Sequence, residues 1–270
     1  MAIKTSASDN GAYPEFCYAA SKHDEVFANF RRHPIYTQVL EHVTPEQGKN
    51  YLEIILGNTD LKLDVDKWKI LLKNDSAGNP NIVTYNFGGN SITCSPTTLR
   101  YIKVLSDIVS LFDTDHINTV AEIGAGYGGQ CRVLMNVLPI TEYSLVDLPE
   151  VLALDEKFLN TVGLPESSLK RGGVRYIDGT HLYHDVSSDL FISNYAFSEL
   201  IRPVQDAYLE KIVLKAKAGY ITWNGGVTVP TFGTDGYSLE EILSIIPNAT
   251  TIEERPLTAP QNCIIVWGNK

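Results

Sequence analysis

The run Val120-Ala121-Glu122-Ile123-Gly124-Ala125-Gly126-Tyr127-Gly128-Gly129-Gln130 carries the residue types and spacing that point most directly to chemistry. Apolar residues lead into closely spaced glycines, and a helical stripe of Cys131, Leu134, Met135 and Leu138 follows. A strand, glycine turn and helix in that order let the backbone approach a ligand closely, because no Cβ holds it away. Gly124, Gly126 and Gly129 match GxGxxG, and Asp147 ends the next β-rich run about 20 residues on. A carboxylate there can accept from both hydroxyls of an adenosine ribose. The pattern serves two ligand classes, a dinucleotide and an adenosine-bearing sulfonium, and a bare glycine turn is the third reading. Glu122, just before the turn, favours the sulfonium: a carboxylate repels a pyrophosphate and suits cationic sulfonium and ammonium groups.

The elements that must position this loop are legible in outline. From residue 117 the runs INTVAEIG, EYSLVDL, VRYID, DLFISNY and GYITW read as strands, with TIEERP and NCIIVWG as a final pair. Helical spacing links Val151, Leu154, Phe158 and Leu159, and again Val204, Ala207, Tyr208 and Ile212. Alternating β and α elements predict an α/β, Rossmann-like, doubly wound sheet of seven strands, mostly parallel with the last one antiparallel. The chain before it reads as mostly helical. Ser95-Pro96 caps a helix striped by Tyr101, Val104, Leu105, Ile108, Leu111 and Phe112, and Thr44-Pro45 opens another. NDSAGNP is a loop by composition, and NIVTYNF a short strand stopped by Gly88, Gly89 and Asn90. The expected division is residues 1–115 as a helical cap on the acceptor side and 116–270 as the ligand-binding domain.

EIGAGYGGQCRVL, YSLVDLPEVLAL and DLFISNYAFSEL, with SPTTLRYIKVLSDIVSLF upstream, resemble the bacterial-type sugar O-methyltransferases. That family is a branch of the class I S-adenosylmethionine-dependent methyltransferases, and the resemblance runs from about residue 30 to the C-terminus. It implies the class I fold, S-adenosylmethionine as cofactor with S-adenosylhomocysteine as product, and a sugar or nucleotide-sugar acceptor. It also implies that Glu122, Gly124, Gly126, Tyr127 and Gln130 line the donor site. Asp147 would hold the ribose, Leu148 would lie near the adenine, and Asp178 could accept from the adenine amino group. Asn194 would sit where the fourth strand of the sheet meets the methyl group.

Methyl transfer to a hydroxyl needs in-line approach and somewhere for the proton to go. Glu199, a few residues beyond the fourth strand, occupies the position of a base in related small-molecule O-methyltransferases; a helix-terminal carboxylate or a salt bridge to Arg202 is the alternative. His181, in DGTHLYHD after the third strand, is the second candidate base, and His184 a weaker one. Arg100 could meet the donor's carboxylate, the acceptor, or a structural carboxylate. Tyr195 and Trp223 are candidate acceptor contacts, although a buried Trp is equally ordinary. Arg31-Arg32-His33 and Lys170-Arg171 could meet a phosphate of a nucleotide sugar. His181 and His184 have no identified carboxylate partner for a metal, so none is assigned.

Composition narrows the remaining classes. Thirty-two acidic against 22 basic residues leave a net charge of −10, which argues against nucleic acid and anionic membrane as partners. The cysteines at 17, 94, 131 and 263 show neither CxxC spacing nor a Cys/His cluster, as expected of thiols in a reducing compartment. No apolar leader or bilayer-length run is present, so the expectation is a cytoplasmic protein, with a homodimer left open. The rival functions are an NAD-dependent oxidoreductase using the same glycine loop and a non-catalytic Rossmann-like binding protein.

Overall fold

The computed structural model describes residues 11–166, 172–227 and 235–270. Helices α1 (Ala12–Lys22), α2 (Asp24–Phe27), α3 (Pro34–Val39), α4 (Pro45–Gly57) and α5 (Val65–Leu72) open the chain. A hairpin of β1 (Val83–Phe87) and β2 (Asn90–Cys94) leads into the long helix α6 (Pro96–Leu111). Then come β3 (Thr119–Ile123), α7 (Gly129–Met135), β4 (Glu142–Asp147), α8 (Pro149–Val162), β5 (Gly173–Asp178) and β6 (Ser188–Asn194). The chain closes with α9 (Arg202–Lys211), β7 (Ala216–Trp223), α10 (Leu239–Ile245), β8 (Thr250–Glu253) and β9 (Cys263–Trp267).

The seven-stranded sheet has the order β5-β4-β3-β6-β7-β9-β8. Every neighbouring pair is parallel up to β7, and β9 runs antiparallel to both β7 and β8. This is the Rossmann-like, mostly parallel seven-stranded sheet expected from the sequence, with β9 the antiparallel strand. β3 and β6 are neighbours whose onward connections leave in opposite directions along the sheet. The crevice at their carboxyl ends is therefore the topological switch point, where open α/β sheets bind ligands.

Local sequence accounts for the helices that flank this crevice. Ser95 Oγ accepts from Thr98 N at 3.1 Å, with Pro96 in the first turn, so α6 starts where its cap dictates. Thr44 and Gln47 form a reciprocal capping box at the start of α4. One apolar cluster runs without a break from α1 and α4 through α6, α7 and α8 onto one face of the sheet. A second, including Phe191, Phe197, Ile242 and Trp267, covers the other. The two parts of the chain on either side of residue 115 thus share one core. α1 packs on α8, and α6 on both α4 and α7.

The 83–87 strand is one half of a hairpin rather than an isolated strand. Gly88 and Gly89, at φ 51° and 80°, turn the chain instead of ending the β-structure, and Asn90 opens β2. The polar run read as a loop, residues 74–80, overlaps a 3₁₀ turn at Lys73–Ser76, and Asn74 in both is fully buried. Its amide donates to Gly129 O at 3.0 Å and its Oδ1 accepts from Arg132 at 3.0 Å, bracing the start of α7. Among the described residues no helix is long and apolar enough to cross a membrane.

Candidate functional site

β3 delivers the glycine loop to the switch-point crevice. Gly124, Gly126 and Gly128 have φ of 79°, 71° and 77°, a region that residues with a Cβ enter at a cost. Asp147, at the carboxyl end of β4, ties the loop down. Its Oδ2 accepts from Ala125 N and its Oδ1 from Leu148 N, both at 2.8 Å. A Cβ on Gly124 would lie 2.2 Å from the Ala196 methyl, and one on Gly126 would lie 2.3 Å from Leu40 Cδ1. The cradle therefore lies beneath Ala196, in the turn after β6, and Leu40, just after α3.

Among the described residues, three buried polar atoms around this cradle lack a hydrogen-bond partner: Tyr101 OH, Gln130 Oε1 and Asn194 Nδ2. Tyr101 OH is 3.9 Å from the position of a Cβ on Gly126. Buried polar groups are rarely left unpaired, and orphans gathered at one loop fit a polar ligand with both donors and acceptors. An amino acid-bearing nucleoside is such a ligand, so the residues present fit the cofactor implied by the sequence.

Glu122 lies beneath the loop, with its Oε2 accepting from Tyr143 OH at 2.8 Å. Burial pushes its pKa from 4.5 up to about 8; the Tyr143 bond lowers it and the Asp147 charge raises it. Burial likewise pushes Asp147 up to about 6, against the backbone N–H groups that favour its charge. A carboxyl with a raised native pKa binds more protons folded than unfolded. Its contribution to stability is whole below the unfolded pKa and fades as pH rises through the folded one. Unfolding midpoints should therefore fall as pH rises from about 4.5 to about 8, and Glu122→Gln should flatten that fall. The gap between the two proteins should change by a few kcal/mol (order of magnitude) over that window, read by denaturant titration at each pH.

The structure brings some of the sequence-predicted residues together and separates others. Asp147 and Asp178 are register partners at the ends of β4 and β5. The Asp178 carboxylate is engaged within its own turn, by Thr180 N at 2.8 Å, Thr180 Oγ1 at 2.5 Å and His181 Nδ1 at 3.3 Å. Burial works against its charge, but these bonds outweigh it and hold the pKa below the usual value. Leu148 is half-buried, immediately before α8, and packs on the core. Gln130 is fully buried and donates to Tyr101 O at 3.2 Å.

Three expectations need correction. The Tyr127 side chain does not line the cradle. It is enclosed beneath it, edge-on to Phe158 at 4.6 Å and Tyr101 at 5.7 Å, with the Arg31 guanidinium 4.7 Å from its ring centroid. Trp223 is 1% exposed and belongs to the apolar cluster with Phe197 and Ile242, so it offers no face to an acceptor. Arg31 is not a surface cation for a phosphate: it is 1% exposed and paired with Glu41 and Asp75. Arg32 donates to Asn79 O and Pro80 O. Lys170 and Arg171 lie outside the described residues.

The two candidate bases are differently placed. The His181 side chain is 62% exposed beside Asp178, and its ring stacks at 6.0 Å on the outward-facing Tyr183. Glu199 is half-buried in the 3₁₀ turn after β6, where its Oε1 accepts from Asn224 Nδ2 at 3.2 Å. Burial raises its pKa above 4.5, partly offset by the Asn224 bond.

Arg100, Asn194 and Tyr195 line one small cavity, together with Tyr51, Tyr220 and Glu254, which sequence reasoning missed. Tyr195 holds φ 69°, unusual for a residue with a Cβ, and its hydroxyl donates to Glu254 Oε1 at 2.6 Å. Thr258 also donates to Glu254, from N at 3.0 Å and from Oγ1. Arg100 Nη2 donates to Leu40 O at 3.3 Å, and no carboxylate pairs with Arg100 among the described residues. Leu40 itself carries no sequence signal beyond an apolar residue close to a helix end.

No protein-family model matches the chain, and no curated protein does. Solved structures with a similar fold include methyltransferases. The methyltransferase domain of bacterial CtHen1-CN is 13% identical, matching 62% of this chain and 96% of that one, with a TM-score of 0.47. Mitomycin 7-O-methyltransferase MmcR is also 13% identical over 62% of this chain, which spans only 56% of MmcR, with a TM-score of 0.42. PigF, solved with SAH, is 17% identical over 62% of this chain and 57% of its own, with a TM-score of 0.42.

Proposed function

We propose that this protein is an S-adenosylmethionine-dependent O-methyltransferase acting on a hydroxyl of a sugar, as a nucleotide sugar or within a glycan. The observation that carries the reading is the glycine cradle at the β3/β6 switch point, with Asp147 beside it and orphaned polar atoms around it. The cofactor, when bound, supplies an electrophilic methyl group on a cationic sulfur.

The chain's own residues hold, orient and deprotonate. Gly124 and Gly126 let the backbone approach the donor, and Asp147 accepts from the ribose hydroxyls. Glu122 lies below as a carboxyl whose charge is favoured by a cation nearby. Leu148 stands beside the adenine, and Asn194, with a free amide N–H, faces the reacting centre. Asp178 can meet the adenine amino group once its bonds to Thr180 and His181 rearrange. Arg100 and Tyr195 contact donor carboxylate or acceptor from the cavity wall. Of the two bases, Glu199 is better supported than His181: it is half-buried, its pKa is raised, and it stands on the turn that covers Gly124. Residues before 115 form the acceptor side.

Thermal shift with S-adenosylhomocysteine and NAD, each added alone, checks the donor class, because only a ligand of the native state stabilises it. The expected result is a rise in melting temperature with S-adenosylhomocysteine and none with NAD. Transfer of labelled methyl to a panel of nucleotide sugars, with mass spectrometry of the product, checks the acceptor. Transfer to other hydroxyl compounds alone would keep the chemistry and refute the sugar.

A further inference from the structure

Leu40 covers the cradle with two groups at once. Its Cδ1 fills the space above Gly126, 2.3 Å from where a Cβ on that residue would lie. Its carbonyl accepts from Arg100 Nη2 at 3.3 Å. Arg100 has no carboxylate partner among the described residues, and its guanidinium lies 5.9 Å from the Tyr195 ring centroid, beside Asn194 in the same cavity. An amino acid chain laid over the glycine loop would need both places: an apolar stem on Gly126 and a carboxylate on Arg100. Leu40 offers the same two features, a branched apolar side chain and a carbonyl oxygen.

The neighbouring residue limits how far this cover can travel. Glu41 Oε1 accepts from Arg31 Nε at 2.5 Å, and its Oε2 accepts from Thr97 Oγ1 at 2.9 Å. Leu40 is thus the single residue between the end of α3 and a clamped carboxylate. Its N–H still bonds back to Tyr36 O, as the C-cap of α3. Opening the cradle takes a local turn of Leu40, with Glu41 staying in place.

We propose that Leu40 is an internal competitor for the amino acid part of the donor, its side chain standing in for the methionyl chain on Gly126 and its carbonyl for the carboxylate on Arg100. The inference rests on the donor reading above. Donor binding then requires Leu40 to vacate the cradle, and the apparent dissociation constant is the intrinsic one divided by the fraction of molecules already open. Arg100 exchanges a neutral carbonyl for a carboxylate as this happens, a charge-assisted bond replacing a weaker one.

Calorimetry with two probes tests this. S-adenosylhomocysteine carries the amino acid chain, and 5′-methylthioadenosine lacks it. Leu40→Ala should tighten S-adenosylhomocysteine binding about tenfold while leaving 5′-methylthioadenosine within about twofold. Arg100→Ala should weaken S-adenosylhomocysteine about tenfold and again spare the shorter probe. Leu40→Met, which keeps the volume, serves as the control should Leu40→Ala unfold, and should bind like the wild type. Unchanged S-adenosylhomocysteine affinity in Leu40→Ala overturns the proposal, as does an equal change for both probes. Binding of neither probe, by wild type or variants, refutes the donor reading itself.

Discussion

Asp147→Ala should lower S-adenosylhomocysteine affinity about 100-fold or more and abolish the thermal shift that the ligand gives the wild type. Two hydroxyls of one ribose on one carboxylate make charge-assisted bonds, each worth ~1.5–3 kcal/mol, and truncation removes both. The same substitution takes a partner from Ala125 N in the middle of the loop. The protein should therefore also lose stability by ~1 kcal/mol, a modest loss beside the binding defect. Asp147→Asn separates these effects. It keeps the size and one acceptor oxygen, and should retain more stability than affinity. Burial sets the Asp147 pKa at about 6, so wild-type affinity should fall as pH drops below 6 and the carboxylate takes a proton. An unaltered affinity in Asp147→Ala would place the ribose elsewhere and remove the strongest reason for reading the glycine loop as a donor site.

What the sequence made legible follows from how local each feature is. The strand, glycine turn and helix are encoded within residues 119–135, and their neighbours reinforce them: Asp147 belongs to the adjacent strand and meets the loop through its backbone. The strand alternation and the caps at Ser95 and Thr44 are likewise local, and they place α4, α6 and the sheet. What was hidden depends on contacts between distant segments. Leu40 and Gly126 meet only because α3 folds back over the loop. Glu254 acquires its place through Tyr195 and Thr258, and in sequence is one more acid in TIEERP. Tyr127 and Trp223 illustrate the opposite error. Tyr127 stands within the glycine loop and Trp223 at the end of β7, but their side chains point into the two apolar clusters that support the site from opposite faces of the sheet. Proximity in sequence marks the backbone of the candidate site, and burial decides which side chains face it.

Arg31→Ala should destabilise the protein by ~3–5 kcal/mol, the usual consequence of removing one member of a buried ionic cluster. The guanidinium is 1% exposed and spreads its donors over four partners. Nε donates to Glu41, Nη1 to Asp75 Oδ1 at 3.2 Å and to Asn74 O at 2.9 Å, and Nη2 to Ser95 Oγ at 3.0 Å. Its face lies over the Tyr127 ring. Burial works against its charge, but Tyr127, Glu41 and Asp75 outweigh that and raise its pKa above the ordinary value. Truncation would leave the carboxylates of Glu41 and Asp75 without the cation that justifies their burial. Lys cannot supply the planar fork, so Arg31→Lys should recover little. Denaturant titration gives the magnitude, and Arg31→Met with Glu41→Gln and Asp75→Asn should lose less than Arg31→Ala, since no charge is then stranded. The same cluster reaches the glycine cradle, because Glu41 is the anchor that follows Leu40. Loosening it in the triple variant should raise the fraction of open cradles and tighten S-adenosylhomocysteine binding, in the same direction as Leu40→Ala. A stability loss with no change in affinity would leave Arg31 as a strut alone.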